Sequence, residues 1–143
     1  MRGYLGSFQH QIDEKGRLSL PAQFRRESGD EALVLVHAFP ESLTLYPQST
    51  WTKVEERLRE MMRSSPQARA YVLSVTANAV EVAPDKQGRI LVPQRMQEAV
   101  GITGPALVVG ALDKIELWNP DRFAAATAET AAETQNFTHQ IFA

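Results

Sequence analysis

DEKGRLSLPAQFR, residues 13–25, returns 72 positions later as DKQGRILVPQRMQ, residues 85–97. Asp13 matches Asp85, Gly16 matches Gly88, Arg17 matches Arg89, and Leu18 matches Ile90. Leu20 then matches Val92, Pro21 matches Pro93, and Phe24 matches Met96. The same offset carries Gly29 to Gly101 and Tyr46 to Trp118; pairing Leu33 with Leu107 takes a two-residue shift that closes again before Leu45 and Leu117. A fixed internal period of this length means one supersecondary unit used twice.

Each copy has a local physical reading. An Asp three residues before a Gly, between alternating apolar runs, predicts a tight hairpin loop. Asp bonds the backbone that follows it, and Gly takes the positive φ that closes the turn. Arg17 and Arg89 leave the loops as the first residues of returning strands. Leu18 and Leu20, like Ile90 and Val92, put their side chains on one face. Pro21 and Pro93 suit the start of a short helix, and Gly29 and Gly101 its end.

Working outward, residues 4–12 place Phe8, His10 and Ile12 on one face of a strand and Ser7, Gln9 and Gln11 on the other. His10 aligns with Val82, so it reads as a partly buried strand residue. ALVLVHA at 32–38 is apolar enough to be buried on both faces, and LTLY at 43–46 follows it. ALVVGA at 106–111 and IELW at 115–118 are their counterparts. Between the units, Trp51, Val54, Leu58, Met61 and Met62 fall at helical spacing, a stripe that predicts core or subunit packing. Ser65-Pro66 opens a second helix, with Ser65 as cap candidate, and Asn119-Pro120 opens a third. Beyond Thr134 the tail is expected to fray, with Phe137, Ile141 and Phe142 available to dock. The chain therefore divides into a first repeat at 5–47, a helical linker at 48–76, a second repeat at 77–120, and a C-terminal helix and tail at 121–143.

Composition excludes more than it assigns. The 143 residues contain no cysteine, so disulfides, thiolate metal sites and cysteine nucleophiles are ruled out. No run is long and apolar enough for a membrane helix or a signal-peptide core, which predicts a cytoplasmic protein. His10, His37 and His139 lack metal-binding spacing, and neither a nucleophile elbow nor a phosphate loop is present. The expectation is no catalytic residues, no metal, no cofactor and no small-molecule substrate. Net charge is −2, yet it is unevenly spread: residues 1–26 hold five bases, including Arg2, against two acids. Residues 113–143 hold two bases against five acids, including Glu129. A basic N-terminal unit facing a polyanion fits that asymmetry.

The Met-Arg-Gly start, IDEKGRLSLP at 12–21, LTLYP at 43–47, DKQGRILVP at 85–93 and KIELWN at 114–119 resemble the MraZ family of bacterial DNA-binding regulators. The match runs through nearly the whole chain in order. The resemblance implies an α+β fold, mainly β with short helices. In it, two pseudo-symmetric repeats form an AbrB-like swapped-hairpin, double-split β-barrel with linking and C-terminal helices. It also implies a ring-shaped homo-oligomer on double-stranded promoter DNA of the division and cell-wall gene cluster, and hence association with the nucleoid. Lys15, Arg17, Lys86 and Arg89 become candidate DNA contacts, with Arg25 and Arg26 of the short helix adding phosphate contacts. Asp13, Gly16, Asp85 and Gly88 become loop organisers. Gln87 replaces Lys15 in the second copy, which predicts that the first loop dominates. An antitoxin-like protein of the same barrel family, or an oligomeric protein-binding scaffold, is the alternative reading.

Overall fold

The Asp-to-Gly loops close as the sequence predicts, but the strands on either side of each loop part company. The computed structural model describes residues 3–29, 31–128 and 130–143; Arg2 and Glu129, counted in the charge balance above, lie outside the described residues. Strand β1 (Ser7–Gln11) enters the first loop and β2 (Arg17–Ser19) leaves it. Asp13 N–H donates to the Arg17 carbonyl at 3.0 Å, and there the pairing between the two ends. Strand β1 instead lies antiparallel to β7 (Pro105–Gly110) of the second unit. Strand β2 lies antiparallel to β6 (Arg89–Leu91), again of the second unit. The simple hairpin is thus corrected. A two-stranded hairpin alone is marginal in water, and pairing outside the unit satisfies more backbone.

The remaining strands are β3 (Leu33–Val36), β4 (Ser42–Pro47), β5 (Val80–Val82) and β8 (Ile115–Trp118). Together with β1 and β7 they form an antiparallel sheet in the order β1-β7-β8-β4-β3-β5, while β2 and β6 form a sheet of two. Among the described residues, eight strands and six α-helices make the fold mixed α+β. The large sheet is open, with β1 and β5 at its edges, so the described residues form no closed barrel.

The ladders also correct the alignment of the repeats. Leu35 pairs with Leu45 and with Val80, while Val108 pairs with Leu117 and with Phe8. Leu35 is therefore the counterpart of Val108, and Leu33 of Ala106, a shift of one residue rather than two. One residue flips a strand face. Accordingly Ala106 and Val108 are buried in the core, whereas Leu107 is only half-buried on the opposite face.

The core gathers the inward residues of both sheets. Leu33, Leu35, Leu43, Leu45, Ile115 and Leu117 come from the large sheet, and Leu18 and Ile90 from the small one. Helices α1 (Ala22–Ser28) and α4 (Gln94–Ala99) start just after Pro21 and Pro93, as expected, and sink Phe24 and Met96 into it. Tyr4 and Phe8 pack edge-on against Phe24, each with ring centroids 5.5 Å away. The Tyr4 hydroxyl meets the buried Ser28 hydroxyl at 2.7 Å.

Every residue of β3 is buried, because helices cover its second face. Helix α2 (Gln48–Ser64) lays Trp51 on Val34 and Val36, with Val54 and Leu58 beside it. Farther along the same stripe Met61 is exposed. A 3-10 turn (Pro66–Ala68) leads into α3 (Arg69–Asn78); the Ser65 side chain makes no cap bond there. Asn119 does cap α5 (Pro120–Ala126), accepting from the Asp121 and Arg122 amides at 2.8 and 3.1 Å. The tail forms α6 (Ala131–Phe142), capped by Thr130, whose residues are exposed throughout. Phe137, Ile141 and Phe142 stay 58%, 74% and 83% exposed.

Candidate nucleic-acid interface

The site is built on the β2–β6 ribbon. Leu18 stands opposite Ile90, and both point into the core. Alternation then places Arg17 opposite Leu91 and Ser19 opposite Arg89 on the outward face. The two arginines are diagonal neighbours, whose Cβ atoms in such ladders lie roughly 7–8 Å apart. The two loops close off opposite ends of this face.

Each loop is organised by its aspartate. Asp13 Oδ1 accepts the backbone amides of Lys15 at 3.0 Å and Arg17 at 2.9 Å, while Oδ2 takes Arg17 Nε at 2.7 Å. Asp85 repeats the pattern with the Gln87 and Arg89 amides, both at 2.9 Å, and Arg89 Nε at 3.0 Å. The backbone amide of the arginine, accepted in the carboxylate form, holds each aspartate below its ordinary pKa more than the guanidinium does. Gly16 and Gly88 sit at φ of 86° and 80° and donate to the Asp13 and Asp85 carbonyls at 2.9 Å. Only glycine takes that conformation without strain. The Gly88 carbonyl then accepts from Leu20 N–H, and the Gly16 carbonyl from Val92 N–H, so each loop is tied to the other unit's strand.

The predicted cations are distributed unequally. Lys15 and Lys86 are exposed at the loop tips, with no ion-pair partner among the described residues. Arg17 and Arg89 are about one-third and one-quarter exposed; each spends Nε on its aspartate, and its terminal amino groups have no partner among the described residues. Arg25 crosses to the second unit and lies over Gly88, with Nε donating to the Leu20 carbonyl at 3.2 Å. Arg26 borders a hollow with Gly3, Leu5 and Gln23. Sequence reasoning missed Leu91, an exposed leucine beside Arg17 on the outward face. The signal was its alignment with Ser19, an apolar residue replacing a polar one. Among the described residues no cluster of His, Cys, Asp or Glu has metal-binding proximity, and no helix is long and apolar enough to cross a membrane.

The family comparison reproduces the internal repeat. One family model, described as "MraZ protein, putative antitoxin-like", matches the chain twice in succession, at residues 4–73 and 75–141. The chain belongs to the MraZ family. It is similar to a "Transcriptional regulator MraZ" from Thermomicrobium roseum, 38% identical over 138 residues and 96% of both chains. Proteins of the same name from Leuconostoc mesenteroides and Desulforamulus reducens are each 35% identical, also over 96% of both chains. The two Asp-Arg loops thus sit one in each matched half of an MraZ-family chain.

Proposed function

We propose that this protein is a transcriptional regulator that binds double-stranded DNA through the outward face of the β2–β6 ribbon and its two loops. The relatives' name, transcriptional regulator, supports regulation of transcription. The observation that carries the DNA reading is the pair of aspartate-braced arginines on one face, whose terminal amino groups have no partner among the described residues. A guanidinium held at Nε presents its remaining donors in a fixed plane, suited to a phosphate or to guanine O6 and N7. A two-stranded ribbon fits the major groove of about 12 Å. Diagonal spacing of roughly 7–8 Å matches about two steps of 3.4 Å along one DNA strand.

The same reading assigns the finer parts. The two repeats interleave as swapped hairpins about a pseudo-two-fold axis; the support is a sheet order that reads the same from both ends when the units are exchanged. The axis runs between Leu18 and Ile90, and between Thr44 and Glu116, two pairs of repeat equivalents that face each other. The protein acts as a ring-shaped homo-oligomer on repeated motifs in the promoter of the division and cell-wall gene cluster, in the cytoplasm and at the nucleoid. One chain offers few phosphate contacts, so affinity comes from several subunits engaging successive repeats, a gain of about 10²-fold or more.

Fluorescence anisotropy on labelled duplex from upstream of its own gene tests this, with one or several repeats and at two salt concentrations. Tight, salt-sensitive binding that rises with repeat number and is lost in Arg17→Ala is expected. Equal binding by the parent and a folded Arg17→Ala variant would overturn it.

A further inference from the structure

The two ends of the ribbon are not equivalent. Position 25 of the first unit corresponds to position 97 of the second, and both side chains do the same structural job. Arg25 Nε donates to the Leu20 carbonyl at 3.2 Å; Gln97 Nε2 donates to the equivalent Val92 carbonyl at 2.8 Å. Each then lies over the glycine of the opposite unit's loop. A Cβ built on Gly88 would fall 2.6 Å from Arg25 Cζ and Nε, and one on Gly16 would fall 3.4 Å from Gln97 Nε2. One loop is therefore roofed by an exposed cation, the other by a buried neutral amide.

The loops differ in the same direction. Residues 13–17 carry two acids, Asp13 and Glu14, against two bases, Lys15 and Arg17. Residues 85–89 carry one acid, Asp85, against two bases, because Lys86 stands where the first loop has Glu14. Gln87 in place of Lys15 is thereby more than offset. With Arg25 laid across Gly88, the second end gathers three bases around one acid, and Arg25 has no ion-pair partner among the described residues. The first end balances to zero, and its exposed neighbour is Leu91.

From this we infer that Arg25, Lys86 and Arg89 form one composite phosphate-binding site, in which a first-unit residue completes the second unit's loop. The second end of the ribbon is the main electrostatic grip on the DNA backbone, the reverse of what Lys15 against Gln87 predicts. The inference rests on the DNA reading above and deepens it. Guanidinium and ammonium groups at one spot suit a phosphate diester, which each neutralised contact binds with release of a counterion.

The internal repeat supplies the variants. Arg25→Gln copies the Gln97 arrangement, keeping the carbonyl bond while removing the charge; Gln97→Arg does the converse. Binding of the upstream duplex is followed by anisotropy across about 50–200 mM salt. Arg25→Gln is expected to weaken binding several-fold and to flatten the slope of log affinity against log salt by about one per engaged subunit. Arg25→Lys keeps most of the slope, Gln97→Arg steepens it, and Arg63→Gln, on helix α2 where Arg63 pairs with Glu60, leaves it unchanged. An unchanged slope in Arg25→Gln, or an equal loss in Arg63→Gln, with the parent binding normally, would overturn this inference alone. A parent chain that shows no salt-sensitive binding would instead overturn the DNA reading itself.

Discussion

An aspartate in each loop does the positioning, and an arginine four residues on receives it. Asp13 and Asp85 accept two backbone amides and a guanidinium Nε apiece, all of which favour the charged carboxylate. Their pKa values lie below the ordinary aspartate value of about 3.9. Because folding lowers these values, their contribution to loop order is full above about pH 3.9 and is lost as the pH falls through the lower, folded value. Carboxyl carbon-13 titration of Asp13 and Asp85 is expected to give midpoints below about 3.9; a midpoint at or above that value would contradict the bracing geometry. The backbone amide of Arg17 is the largest of these influences. Arg17→Ala keeps that amide, so the loop should hold its shape and Asp13 should stay depressed. That makes the alanine variant a clean removal of the group proposed to meet DNA.

At the scale of elements, the β2–β6 ribbon is short and depends on what lies beneath it. Leu18 and Ile90 are fully buried under its three residue pairs. Truncating either leaves a cavity beneath the arginines, and large-to-alanine changes at such sites cost about 2–5 kcal/mol. Leu18→Ala and Ile90→Ala should each lower unfolding stability by that amount in chemical denaturation; a loss under about 1 kcal/mol would mean the ribbon is not anchored through this pair. Much of this level was legible in the sequence. The loops, the short helices after Pro21 and Pro93, the Asn119 cap and the doubly buried β3 all follow from local chemistry and periodicity. The strand partners did not follow, because local alternation says which face is buried and nothing about which strand lies alongside. The one-residue slip between repeats hid for the same reason: Leu33 and Leu107 are alike as residues and only their ladders tell them apart. Arg25 was legible as a cation but not as a neighbour of Gly88, a contact across the two units between residues 63 positions apart. Helix α6 escaped because Ala-rich, Thr-rich sequence signals weakly, although Thr130 and Glu133 do form a start signal.

At the scale of the whole molecule, neither unit completes a sheet alone. Strand β1 needs β7, β5 needs β3, and β2 needs β6, so the loops are held in fixed relation only when both units are folded together. That coupling turns two weak loop motifs into one face. Residues left over from the fold lie elsewhere: Phe137, Ile141 and Phe142 on α6, and Met61, Tyr71 and Leu73 on the linker helices, are exposed apolar groups. The acidic surface follows the same division, with Glu55, Glu56 and Glu60 of α2 paired to Arg59 and Arg63 rather than to the loops. The most direct test of the central claim is to follow the arginine Nε–H resonances by NMR while upstream duplex DNA is added. The account predicts that Arg17 and Arg89 shift and broaden, accompanied by Arg25, while Arg59 and Arg63 stay in place. DNA that binds while Arg17 and Arg89 remain unperturbed would contradict it.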